Sequence, residues 1–61
     1  MKTEQDYWTL KAMSKFGGGF VKLLAELAHH ADPINFQRIK ATWPEYWSQY
    51  EKMGQSLKDK E

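Results

Sequence analysis

Cysteine is absent from this chain, so neither a disulfide nor a thiolate metal site can support it, and no oxidising compartment is implied. β-Branched residues are limited to Val21, Ile34, Ile39 and three threonines, and no stretch alternates apolar and polar residues, so strands are not expected. Nor is there an excess of one charge. Nine Lys and Arg face eight Asp and Glu, which excludes a global field that would draw the chain to nucleic acid or an anionic membrane. The longest apolar stretch, Phe20 to Ala28, is broken by Lys22 and Glu26 and falls far short of the roughly 20 residues that cross a bilayer. The opening segment MKTEQDYW has no continuous apolar core and no small-residue cleavage site. The expectation is a cytoplasmic protein without a signal peptide or membrane contact.

What is present is a hydrophobic content of 41%, with 15% aromatics, in 61 residues. That is too much for a disordered chain, yet a domain of this size buries only about 60% of the surface its unfolded form exposes. A single domain over residues 1–61 is expected: an all-α, compact bundle of three to four short helices, with homodimerisation as one way to complete its core.

The elements follow from periodicity and punctuation. At about 100° per residue, Phe20, Val21, Leu23, Leu24, Leu27, Ala28 and Ala31 fall within an arc of about 160°, opposite Lys22, Glu26, His29 and His30. This predicts a helix over 20–31. Asp32 and Pro33 supply a capping carboxylate and a ring suited to the first helical position, and Ala31 and Phe36 stand at the two positions of a hydrophobic staple. A helix over 33–42 would bury Phe36, Ile39 and Trp43. Thr42 and Glu45 have the spacing of a capping box around Pro44, so a further helix over 43–58 is expected, followed by a solvated, frayed tail. Its stripe of Trp43, Tyr46, Trp47, Tyr50, Met53, Gly54 and Leu57 carries four of the nine aromatics. In the first helix, over 4–16, Trp8, Ala12, Met13 and Phe16 share a face while Tyr7 and Leu10 point elsewhere, which suggests burial on more than one side; Thr3 and Asp6 form a partial capping pattern. Gly17, Gly18 and Gly19 end it, because residues with free access to positive φ make a turn easy.

Chemistry-bearing patterns are sparse. The glycine triplet precedes a helix N-terminus, with Lys22 nearby, where an anion could sit, but it fits neither phosphate-loop pattern. A close-packed turn, with Phe16 and Phe20 inserted into the core, is the preferred reading. Glu26 and His29 have the spacing of one half of a two-metal bundle site, on the polar side of their helix, and one copy is not enough; no metal and no cofactor are expected. Ser14, Ser48 and Ser56 have no adjacent base, and so short a chain has little room for a water-excluding pocket, so no enzyme activity is expected.

Two surfaces remain. The aromatic residues Trp43, Tyr46, Trp47 and Tyr50 have two readings: internal core, or, since they are of the types that anchor protein interfaces and Gly54 lets another backbone come close, a surface for self-association or a protein partner. The alternative is a helix-turn-helix-like pair over 20–42 that presents Asn35, Gln37, Arg38 and Lys40 to nucleic acid. No small-molecule substrate is evident. The segments KFGGGF, HADPINFQRIKATWPEYW and QYEKMG resemble small helical proteins encoded by bacterial phages and mobile elements. That resemblance spans residues 7–54 and implies a cytoplasmic accessory role, without assigning any catalytic or binding residue.

Overall fold

The computed structural model describes residues 3–60. Four helices follow one another: α1 (Glu4–Phe16), α2 (Gly19–His30), α3 (Pro33–Thr42) and α4 (Pro44–Lys60), with no strand among the described residues.

Each boundary has a local cause. Thr3 and Asp6 form a full capping box, the Thr3 amide donating to the Asp6 carboxylate and the Asp6 amide to the Thr3 hydroxyl, both at 3.1 Å. Asp32 caps α3 by accepting from the Asn35 amide at 2.8 Å, with Pro33 at the first helical position. Both staple residues, Ala31 and Phe36, belong to the same apolar cluster. The expected Thr42–Glu45 capping box is displaced: Thr42 closes α3, its hydroxyl donating to the Arg38 carbonyl at 2.7 Å, and Trp43 takes the junction before Pro44. The tail is ordered further than expected, since α4 runs to Lys60 and Lys58 pairs with Glu4 of α1; Glu61 lies outside the described residues.

The core is assembled around α1, which packs against both α4 and α2 and buries Thr9, Leu10, Ala12 and Met13. The decisive contact is at Gly54. A Cβ there would stand 2.6 Å from the Trp8 carbonyl oxygen and 2.9 Å from the Thr9 amide nitrogen, so the two backbones touch with no side chain between them. Glu4 and Trp8 share a groove with Glu51 and Gln55 on one side of α4, whereas Phe16 shares one with Met53 and Ser56 on the other. α1 therefore passes from one side of α4 to the other about the Gly54 contact. Trp47, Tyr50 and Leu57 line the buried side of α4, and Phe36 meets Trp47 edge-on with ring centres 5.9 Å apart. The Trp47 indole Nε1 is the one buried side-chain polar atom among the described residues without a hydrogen-bond partner.

The glycine turn is built differently from expectation. No glycine among the described residues has positive φ; Gly17 and Gly18 are both extended. Gly17 is required for space, because a Cβ would lie 2.5 Å from the Met13 carbonyl oxygen and from Val21. The backbone at Gly17 thus fills the corner that Phe16 and Phe20 were expected to fill, and both rings are exposed. Nothing lies within 4 Å of a Cβ at Gly18 or Gly19.

Two glycines therefore respond oppositely to one added methyl. Gly54→Ala forces two backbones apart and is expected to cost at least about 1–3 kcal/mol, as overpacking does. Gly19→Ala, in open space at the start of a helix, is expected to gain about 0.4–1 kcal/mol. Urea unfolding of both variants at low micromolar concentration checks the pair; a Gly54→Ala variant as stable as the parent contradicts the close approach.

Candidate interaction surface

The apolar arc of α2 divides in two. Val21, Leu24, Ala25 and Ala28 are buried, whereas Phe20, Leu23 and Leu27 are 56%, 68% and 56% exposed. The reason is geometric: an arc of about 160° is wider than the roughly 100° stripe that one packing face covers. α1 and α3 pack against the buried part of the arc, and the remainder stays more than half exposed. Phe20, Leu23 and Leu27 are spaced three and four residues apart and so form one ridge about two turns long.

The ridge continues into α4's start. The Phe20 ring lies 6.0 Å from both Trp43 and Tyr46, edge-on to the first and tilted to the second. Trp43 and Tyr46 are half-buried. A groove of about 560 Å³ between α2 and α3 runs alongside, with Leu27, Ile39 and Trp43 in its lining and Asn35 and Arg38 on its rim. A second, of about 850 Å³, lies between α1 and α2, with Tyr7, Leu10 and Ala25 in its lining and Lys22, Glu26 and His29 along one side. α2 is thus an apolar ridge between two grooves, which is an unusual amount of exposed apolar side chain for so small a chain.

This geometry redistributes the residues expected at an interface. Trp47 and Tyr50 are only 3% and 7% exposed, covered by their own chain, and are core residues. Trp43 and Tyr46 keep an open edge, beside Phe20. Gly54 does admit a second backbone closely, but that backbone is α1 of the same chain. Phe20, expected in the core, is exposed with Leu23 and Leu27, because the arc is wider than one packing face.

The nucleic-acid set is also divided. Asn35, Gln37 and Arg38 are exposed on α3. Lys40 is half-buried, and its ammonium donates to Asp6 of α1 at 3.2 Å while lying 5.5 Å from the Phe36 ring centre. Arg38 is thus the one exposed basic side chain left on α3. Gly17 is sealed inside the turn, so of the anion set only Gly18, Gly19 and Lys22 face outward. Glu26 and His29 are both exposed, and no three His, Asp or Glu side chains among the described residues are placed to hold a metal ion. No helix among those residues is long and apolar enough to cross a membrane.

Compared with protein-family models, curated proteins and solved structures, the chain matches none.

Asp6 is the buried carboxylate of the fold. Burial alone would raise its pKa, but the Thr3 amide, the Lys40 ammonium and the Thr3 side chain together outweigh it and hold the carboxyl below its ordinary 3.8. A carboxyl with a lowered folded pKa adds stability that is fully present above its unfolded value and is lost as pH falls through the folded one. Stability should accordingly decline below about pH 4. The decline should be smaller in Asp6→Asn, which is itself less stable than the parent near neutrality by about 1–3 kcal/mol through the weakened cap and the lost ion pair. Urea midpoints measured across pH for both chains test this; parallel pH curves would contradict it.

Proposed function

We propose that this chain is a small, non-enzymatic helical module that acts by binding protein through the outer face of α2, with Trp43 and Tyr46 at its edge. The observation that carries the reading is the ridge of Phe20, Leu23 and Leu27, exposed although a core has closed beneath it. Ordinary surfaces scatter single apolar residues; a helical ridge of three beside an aromatic pair has the composition of an interface centre. The polar rim fits as well, since Lys22, Glu26, Asn35 and Arg38 surround the ridge at the edges of the two grooves. The reading gives the chain a binding role and no reaction, in keeping with serines that have no adjacent base in sequence. The setting we attach to it, an accessory protein of a phage or mobile element in the cytoplasm, rests on the resemblance of residues 7–54 alone.

A photo-crosslinking side chain placed at position 23 should yield protein adducts, to another copy or to a different protein, in the cell that produces the chain. The same side chain at position 37, exposed on α3, should not. Adducts at 37 with none at 23, or none at either, would contradict the assignment of the binding face.

A further inference from the structure

The geometry points to a second copy of this chain as the occupant of the α2 face, in a symmetric dimer whose two α2 helices pack antiparallel; this names the partner for the binding face proposed above and rests on that reading. Three features of α2 make the face complementary to itself.

The first is the order of the ridge. Placing a twofold axis between Leu23 and Leu24 sets Phe20 of one copy against Leu27 of the other and brings the two Leu23 side chains together, so every exposed apolar residue of α2 meets another. The second is charge. Lys22 and Glu26 lie on the same flank of the ridge, and among the described residues neither has an ion pair within its own chain. Antiparallel packing about this axis keeps that flank on one side, so Lys22 of each copy stands within about 1.5 Å, along the helix, of the level of Glu26 in the other. Two ion pairs form, one on each side of the axis. A parallel arrangement sets Lys22 level with Lys22 and offers no such pair, and it also aligns the helix dipoles unfavourably.

The third is the glycine turn. Gly18 and Gly19 have open space around them and negative φ, so nothing within one chain requires a glycine at either place. In the antiparallel pair they lie opposite the C-terminal turn of the second α2, where His30 projects from the same side as the ridge. The missing side chains leave room for it.

The contact is modest in size. A helix of 12 residues is about 18 Å long, so its face falls short of the roughly 800 Å² per partner of a standard interface, even with the edges of Trp43 and Tyr46 added. The dimer is therefore a reversible one that dissociates on dilution.

Sedimentation equilibrium at low ionic strength, over concentrations from micromolar to millimolar, tests the proposal. The mass should rise from 7.2 kDa towards twice that value. Lys22→Glu and Glu26→Lys, each folded as judged by circular dichroism, should each weaken association about tenfold, because two attractive pairs become repulsive. An equimolar mixture of the two variants should restore it, since the opposite charges then face one another. A chain that stays monomeric to millimolar concentration overturns the dimer, and adducts to a different protein at position 23 would leave the binding face standing. Association unaffected by Leu23→Asp overturns the placement on α2. Association lost in Leu23→Asp but no stronger in the charge-reversed mixture than in either variant alone overturns the antiparallel register.

Discussion

Everything in this fold depends on the place where two helix backbones touch. Gly54 lies against the peptide between Trp8 and Thr9, closer than any side chain would allow. A glycine inside a helix costs about 1 kcal/mol of intrinsic propensity, so its presence on α4 requires a compensating gain. Here the gain is packing. With α1 drawn down across α4, the small and medium side chains Thr9, Ala12 and Met13 become wholly buried and Trp47 and Tyr50 are covered by their own chain. The radius of gyration of 10.5 Å equals the value of about 10.5 Å expected for a compact domain of 61 residues, so one copy closes its core.

That closure also determines what is left over. α1 can cover only part of the apolar arc of α2, because its other side is committed to α4. α3 is fastened by Phe36 and Ile39 in the core and by the Lys40–Asp6 pair, in which the carboxylate that caps α1 also holds the ammonium of α3. With those helices fixed, the outer part of α2 faces water, and the ridge of Phe20, Leu23 and Leu27 is a by-product of the same geometry that seals the aromatic residues of α4 inside. The binding surface and the core are two outcomes of one excess of apolar residues in a short chain.

Much of this was legible in the residues. Helix limits could be read closely, because Asp32–Pro33, Pro44 and the glycine triplet are local signals that act without reference to the rest of the fold. The burial of α1 on two sides was visible in its two apolar directions. What could not be read was which face meets which. Periodicity places Leu23 and Leu24 on one arc and gives no means of telling that only the second has a neighbour. The aromatic stripe of α4 invited an interface assignment for the same reason; Trp47 and Tyr50 are inside because α1 and α3 cover them, a tertiary fact. Asp6 shows the opposite case. Its three-residue spacing from Thr3 showed part of the capping pattern that the structure completes, while its bond to Lys40, 34 positions away, had no local trace.

The central claim is that a single chain closes over Trp47 and Leu57 and leaves the ridge of α2 outside. It is tested most directly by solvent paramagnetic relaxation on leucine methyl groups, with a soluble gadolinium chelate and the chain diluted below any self-association. The account predicts strong relaxation at Leu23 and Leu27 and weak relaxation at Leu24 and Leu57. Equal protection of all four leucines in the monomer would contradict it.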